Sequence, residues 1–431
     1  MPESSNGALA GPRFCRWILE IGRAAVIKIL LSVGLPRGVV WLQGLAVTDP
    51  QAKTLEKSSV QPLLDELREE ALCHRFEVAP NPCVGAAILA GGRVIGRGYH
   101  EFWGGPHAEV NAIEAARASG VKESEWELLV VTLEPCSSEG KTPPCVEAVL
   151  ALGIKQVVIG CLDPDPRHRG AAIKLLEDAG VEVLHIDESA KFEEDNDAFC
   201  AWMSPTRERS PRPWVIAKWA QTRTGQLTPP EDVGEGRWIS AENSQLEVQT
   251  LRGRVDVIVT GAGTVKADDP RLTLRGASLG AAPKRVVLDS YLRTSPSARL
   301  LQEVEDGEVG GEVIIFTLAG ADGARWRALV DAGAKVVGFH GDESGRVSLP
   351  DAYQWLWEEG VRRVLLEGGP ELLSSHLEKA LVDQVRVYTG DVFGGRGVSL
   401  GQSLAGLEFT ARLDRECAPD SVLEAFLLEE E

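Results

Sequence analysis

His107, Ala108 and Glu109 are followed by Pro135 and Cys136 and then by Cys145, so the chain offers an imidazole, two thiols and a carboxylate in a short span. An imidazole with two sulfurs is a donor set that zinc favours. Three protein ligands rather than four leave a coordination position for water, and zinc lowers the pKa of that water far enough to supply a nucleophile near neutral pH. Glu109 falls two residues after His107, in the first turn of an expected helix. It can project into the pocket without ligating the metal and is expected to be the catalytic proton carrier. Two alternatives compete. The three residues are ordinary buried side chains, or a fourth ligand such as Cys83 or Cys161 closes a purely structural site. The coincidence of a His-x-Glu, a Pro-Cys and a second cysteine favours the catalytic reading.

Positioning such a group requires strands and helices in alternation, and from Gln61 onward short apolar runs alternate with helix-length segments, as α/β domains with largely parallel sheets do. In a first block, 85–89, 128–133, 156–161 and 181–186 read as strands, and 107–119, 144–152 and 171–179 as helices. Ser, Pro, Arg and Glu crowd together between Met203 and Pro213, which marks a boundary. A second block has strand signals at 214–217, 255–259, 285–288, 312–317, 335–339, 363–366 and 384–388, with a loop at 341–348 and no internal repeat. The strand at 363–366 runs into Gly368 and Gly369 ahead of a helix-like segment from Pro370, where backbone N–H groups can face an anion and glycines let a phosphate come close. The expected organisation is an extension over 1–60, disordered or helical, a first domain over 61–205 and a second over 212–431.

A chain of 431 residues is too long for one core. Its net charge of −19 opposes binding to nucleic acid, whose affinity is built on lysine and arginine neutralising phosphates. Eight cysteines are too few for a disulfide scaffold and point to a reducing compartment. The apolar stretch from Trp17 to Leu45 is broken by Glu20, Arg23, Lys28 and Arg37, and its longest uncharged run is short of the roughly 20 residues that a membrane helix needs. A cytoplasmic protein is expected, with an organelle-targeting N-terminus left open.

Eight residues separate Cys136 from Cys145, among them Gly140, Lys141, Thr142, Pro143 and Pro144, where nucleoside and polynucleotide deaminases usually have two. With Asn81-Pro82-Cys83-Val84-Gly85, Gly98-Tyr99-His100, Leu133-Glu134-Pro135-Cys136 and Asp163-Pro164-Asp165-Pro166, this pattern resembles the deaminase of riboflavin biosynthesis. Arg212-Pro213-Trp214, Lys218-Trp219-Ala220, Arg237-Trp238-Ile239-Ser240, Gly261 to Val265 with Ala267-Asp268-Asp269-Pro270, and Leu366 to Pro370 resemble the reductase of the same pathway. The resemblance to the bifunctional deaminase-reductase family runs from about residue 62 to 400.

That resemblance implies a cytidine-deaminase-like three-layer α/β/α domain followed by a dihydrofolate-reductase-like α/β domain, with Zn2+ and NADPH as cofactors. It implies hydrolytic deamination of 2,5-diamino-6-(5-phosphoribosylamino)pyrimidin-4(3H)-one through His107, Cys136, Cys145 and Glu109, then reduction of the ribosyl side chain to ribityl. Asn81, His100 and Lys141 would contact the deaminase substrate, Lys141 as a point charge for phosphate. Lys218, Arg252, Leu272, Arg275 and Glu367 would hold the reductase substrate. Ala220, Trp238, Thr264, Asp268, Ser290 and the run Gly369, Pro370, Glu371, Leu372, Leu373, Ser374 and Ser375 would hold the cofactor. The partner is then a small phosphorylated pyrimidine, with no nucleic acid and no membrane, and the enzyme a homo-oligomer. Three departures stand out: Ser138 where the family has histidine, Thr222-Arg223-Thr224-Gly225 where it has Ser-Leu-Asp-Gly, and Gly236 where it has serine. The last two motivate an alternative, a deaminase with a degenerate reductase domain. A nucleic-acid or nucleoside deaminase and a non-catalytic zinc-stabilised binding protein are the remaining rivals.

Overall fold

Aliphatic runs too short for helices form the strands of two separate sheets in a computed structural model of the chain. It describes residues 56–138, 143–203, 211–231, 238–275, 282–404 and 406–427. The expected extension therefore lies outside the described residues up to position 55, as do Lys141 and Gly236. The chain divides into two compact units: residues 83–101 and 106–195 with the helix preceding them, and residues 196 onward with 76–82 and 102–105.

The first unit begins with α1 (Lys57–Ala71) and contains β1 (Gly85–Ala90), β2 (Arg93–Tyr99), α2 (Ala108–Ala118), β3 (Leu128–Leu133), α3 (Cys145–Leu152), β4 (Gln156–Cys161), α4 (Ala171–Asp178) and β5 (Glu182–His185). Strand order is β2-β1-β3-β4-β5; β1 pairs antiparallel with both neighbours, and β3, β4 and β5 run parallel. Side chains alternate across the sheet, as the period of two requires. Ala87, Leu89, Leu128, Val130 and Val158 pack with Val60, Leu63, Leu64 and Leu67 of α1 on one face. On the other face α2 lies directly on β2, because Gly96 and Gly98 have no side chain: a Cβ on Gly98 would sit 2.1 Å from the Ala112 nitrogen, and one on Gly96 2.4 Å from that of Ala116. The result is the expected three-layer α/β/α arrangement. Its sequence signal was weakest at β2, since glycine and arginine are poor strand formers.

The second unit carries β6 (Trp214–Gln221), α5 (Glu242–Arg252), β7 (Val257–Gly261), α6 (Ala262–Asp268), β8 (Lys284–Leu288), β9 (Val313–Leu318), α7 (Gly323–Asp331), β10 (Lys335–Phe339), α8 (Leu349–Glu358), β11 (Arg363–Glu367), α9 (Pro370–Glu378), β12 (Gln384–Thr389), β13 (Phe409–Cys417) and β14 (Asp420–Leu427). Nine of these strands form one sheet in the order β10-β9-β8-β7-β11-β6-β12-β14-β13. The first seven run parallel, and β14 is antiparallel to both of its neighbours, β12 and β13. From β6 the chain moves outward through β7, β8, β9 and β10, then returns to insert β11 between β7 and β6. That reversal is the topological switch point at whose carboxyl end open α/β sheets bind ligands. Val215, Ala217, Val259, Leu366 and Val385 form one core with Tyr353, Leu356, Leu373 and Leu377 of α8 and α9, whereas Ile216, Ile258 and Leu365 pack against Leu251 of α5. The hairpin β13–β14 lies beyond the last strand expected from the sequence.

Glu134, immediately after β3, is buried, and its carboxylate accepts N–H bonds from Asp163 (3.1 Å), Gly170 (2.9 Å) and Ala172 (2.9 Å). It ties the loop after β4, and the start of α4, to the segment that leads into Cys136. Replacing it with alanine leaves three inward N–H groups without an acceptor, which costs about 3 kcal/mol or more. Glu134→Ala is expected to lower amide-exchange protection across 156–185 by roughly a hundredfold, with 214–221 and 384–389 unchanged. Wild-type protection in 156–185 would refute this role.

Candidate functional site

Three segments of the first unit converge. His107 is the residue just before α2, Cys136 follows β3, and Cys145 opens α3. Their ligand atoms all lie within 4.8 Å of one another. His107 Nδ1 is 3.6 Å from Cys136 Sγ and 3.3 Å from Cys145 Sγ, and the Cys145 backbone N–H donates to Cys136 Sγ over 3.2 Å. Zinc–sulfur bonds of about 2.3 Å and zinc–nitrogen bonds of about 2.0 Å, at tetrahedral angles, put such atoms about 3.5 to 3.8 Å apart. The group therefore fits one zinc ion with little movement. Neither Cys83 nor Cys161 joins it; the Cys161 thiol donates to Leu162 O.

The electrostatics favour a cation. The hydrogen bond from the Cys145 thiol, with help from the imidazole, holds the Cys136 thiol down at about 4. Cys145, which shares its proton with Cys136 in a buried setting, is pushed far up. The bond to Cys136 raises the His107 imidazole despite burial. Glu109 is buried in the first turn of α2, and burial pushes its carboxyl up, against the pull of a backbone hydrogen bond and of His107. His100 is brought beside this group: its ring meets that of His107 edge-on with centroids 5.5 Å apart, and its Nδ1–H donates to Pro106 O over 3.0 Å. Asn81 belongs to the 76–82 segment, counted with the second unit, where its N–H donates to Val78 O.

In the second unit, Lys218 and Glu367 occupy paired positions on β6 and β11, at the switch point. Arg252, at the end of α5, grips Glu367 with two bonds of 2.7 and 2.9 Å, and Lys218 Nζ lies 3.8 Å from the same carboxylate. Burial raises and the two cations lower the Glu367 carboxyl, for a net position of about 2, whereas burial lowers the Lys218 ammonium. Arg252 also donates to Thr273 O, and Arg275 N–H donates to Gln249 Oε1 on α5, so α5 aligns both arginines. The Arg275 guanidinium itself pairs with Glu308 at 2.9 Å and is half-exposed. Leu272, between them in chain order, is buried at a φ of 54°.

The residues expected to hold a cofactor gather in part. Gly369 caps α9 and donates its N–H to Thr264 Oγ1 over 3.1 Å, and Leu372 lies over Gly261 and Gly368. Ser290 Oγ, at the end of β8, accepts the Val347 N–H. Pro370 opens α9, Glu371 pairs with Arg346, Leu373 is buried, Ser374 bonds Ser403, and Ser375 donates to Leu372 O. Burial raises the Asp268 carboxyl. Ala220 is on β6 next to Trp219, and Trp238 is two-thirds exposed. Glu134 stands in the Leu133-Glu134-Pro135-Cys136 motif, and its place two residues before a metal-type cysteine is the one sequence signal of its bracing role. The altered 222–225 element is an ordered turn. Gly225 takes a φ of 84°, and Thr224, in the aspartate's place, donates to Gly394 O and accepts the Gly394 N–H.

Comparison with known proteins agrees with this division. Residues 60–161 match the cytidine and deoxycytidylate deaminase zinc-binding region, and residues 213–415 match the RibD C-terminal domain. Riboflavin biosynthesis protein RibD of Aquifex aeolicus is 34% identical over 323 residues, 75% of this chain and 84% of the relative. That of Bacillus amyloliquefaciens is 36% identical over 319 residues, 74% and 81% of the two chains. Among solved structures, Acinetobacter baumannii RibD superposes with a TM-score of 0.59 at 28% identity, covering 86% of this chain and 99% of its own. A Thermotoga maritima diaminohydroxyphosphoribosylaminopyrimidine deaminase/5-amino-6-(5-phosphoribosylamino)uracil reductase gives 0.58 at 28% identity, covering 85% and 98%. With both domains matched and the His/Cys/Cys group assembled, the chain belongs to the RibD family of bifunctional riboflavin biosynthesis enzymes, which pair a zinc-dependent deaminase with an NADPH-dependent reductase.

Proposed function

We propose that the deaminase domain, over 61–205, converts 2,5-diamino-6-(5-phosphoribosylamino)pyrimidin-4(3H)-one to its uracil counterpart with release of ammonia, and that the reductase domain, over 212–431, then reduces the ribosyl group to ribityl. The observation that carries this reading is the convergence of His107, Cys136 and Cys145 beside a buried Glu109. Bound to those three side chains, zinc would supply an activated water. Glu109 takes the proton from the attacking water and delivers it to the departing amino nitrogen. A carboxyl raised by burial suits both halves of that transfer, since acceptor and donor strength are then balanced nearer neutral pH. His100, beside His107, orients the substrate, with Asn81 and Lys141 as further contacts.

In the second step NADPH, once bound, would supply the hydride that reduces C1′ of the ribose. Lys218 faces the reacting sugar, and Glu367, locked by Arg252, sets the position of both cations. Arg275 gives one edge of its guanidinium to Glu308 and keeps others for the substrate phosphate. The N-terminus of α9 would hold the cofactor's phosphates, since Gly369 permits close approach there. The alternative of a deaminase with a degenerate reductase domain is disfavoured, because the match to the reductase domain runs over 213–415 and the 222–225 element is an ordered turn held by Thr224. The reading takes the enzyme to be cytoplasmic and homo-oligomeric. It assigns a free pyrimidine rather than a polynucleotide as substrate, as a net charge of −19 supports.

Glu109→Gln is expected to retain stoichiometric zinc and lose deamination by a factor of about 100 to 10,000, with reduction of the deaminated substrate unchanged. Deamination at the wild-type rate with metal bound would remove Glu109 from the mechanism. Arg275→Ala is expected to raise the reductase KM for the deaminated substrate roughly tenfold or more, with a smaller change in kcat. An unaltered KM would end its phosphate role. If the wild-type chain oxidises no NADPH when given the deaminated substrate, the deaminase-only alternative replaces this reading.

A further inference from the structure

The chain leaves β6 at Gln221 and enters α5 at Glu242, and these two elements carry the cations that flank Glu367: Lys218 on β6 and Arg252 at the end of α5. The arm that follows β6 (222–228) and the arm that precedes α5 (238–241) therefore stand at the carboxyl edge of the sheet, beside the switch point. Both arms rest on a glycine-rich segment, 390–395, that leaves the neighbouring strand β12. Gly390 donates its N–H to Gln221 O over 3.0 Å, and a Cβ there would collide with Ile239 O. Arg223 N–H donates to Val392 O over 2.7 Å, and its guanidinium pairs with Asp391 over 2.8 Å. Gly395 takes a φ of 121°, which side chains rarely adopt, and a Cβ there would collide with Thr228 O. Beyond it Thr228 pairs with Arg396, and Gln226 with Ser399, in antiparallel register.

A side-chain hydroxyl joins the arm to the segment. Thr224 donates to Gly394 O over 3.1 Å and accepts the Gly394 N–H over 2.9 Å, closing a ring between positions 170 residues apart. The Thr222 hydroxyl serves its own arm, donating to the Gln226 side-chain oxygen over 3.1 Å and accepting the Gln226 N–H over 3.2 Å. Thr224 is exposed and stands outside the core, so what its hydroxyl fixes is where the arm lies. Thr222, fully buried one residue past β6, continues the alternation of Lys218 and Ala220, and through it the arm's position is passed to the strand that carries Lys218. Hydride transfer needs the reacting atoms about 3 to 3.5 Å apart and loses roughly a hundredfold for 1 Å of misplacement. A wall of the site that is pinned at two segments meets that demand.

We infer that segment 390–395 is the clamp of the reductase site and that Thr224 is its positioning residue: the hydroxyl holds the arm after β6 on Gly394, and the arm keeps Lys218 and the reacting groups at transfer distance. The inference rests on the reductase reading above but fails separately from it. Its test uses the full-length protein with Thr224→Val, which removes the hydroxyl at nearly equal size, and Thr224→Ser, which keeps it. Without nucleotide, Thr224→Val is expected to speed amide exchange at Gly394 and across 222–228 about three- to tenfold, with 363–367 unchanged. With NADPH and the deaminated substrate, the same variant is expected to lower the reductase kcat about three- to tenfold, to change either KM less than about twofold, and to leave deamination as it was. Thr224→Ser is expected to keep both exchange and kcat near wild type. Gly395→Ala, which forces the arm off the segment, is expected to lower kcat further with the same split from KM. A wild-type kcat in Thr224→Val, a KM effect in place of a kcat effect, or a serine variant as slow as the valine one overturns the positioning role and leaves the reductase reading standing. A wild-type chain that oxidises no NADPH overturns both together.

Discussion

Two sulfurs and an imidazole nitrogen within 4.8 Å of one another cannot all present lone pairs without a cation among them. The crowding shows in their proton affinities, since hydrogen bonding between the two thiols holds one low and pushes the other up, and the bond to Cys136 raises the imidazole. A divalent ion resolves the same crowding better, since it satisfies three donors at once and leaves none protonated. The surrounding fold serves this crowding. Gly96 and Gly98 let α2 press against β2, which delivers His107 and Glu109, and Glu134 braces the segment that delivers Cys136 against the loop after β4.

The reductase unit works from a different constraint. Parallel strands end on one edge, and the return of β11 between β6 and β7 opens that edge at the point where Lys218 and Glu367 stand side by side. Glu367 is largely withdrawn from solvent with two cations about it, and both would be expensive to hold there without the carboxylate. The triad is therefore a single electrostatic object whose members hold one another in place. Its cationic side chains are then available to a ligand in fixed geometry, with little ordering left to do on binding.

Much of this was legible in the sequence because residue type and spacing carried it. The metal donors, Glu109, and the strands that read as nearly continuous apolar runs, such as 128–133 and 313–318, are visible without coordinates. Strands whose residues serve some other purpose were not. β2 spends its positions on glycines that admit a helix, and β13 alternates exposed Arg412, Asp414 and Glu416 with half-buried side chains at the sheet's edge, so neither reads as a strand. Charged edge residues discourage pairing with another chain, and the same charges hide the strand. Side-chain tasks set by tertiary closure were hidden too. Nothing near Glu134 in sequence reveals that three N–H groups from positions 163, 170 and 172 will meet it. The same holds at 222–225, where the sequence does not reveal that the Thr224 hydroxyl will pair with both the carbonyl and the N–H of Gly394.

An acidic chain that handles phosphorylated ligands raises a question of range. A net charge of −19 repels anions at a distance, yet salt screens that field beyond about 8 to 10 Å, so local cations decide what binds. Arg252 and Lys218 are committed to Glu367, and Arg275 is partly committed to Glu308. Each phosphate must therefore find its own small group of donors rather than a general basic surface. That arrangement admits ligands bearing one or a few phosphates at defined places.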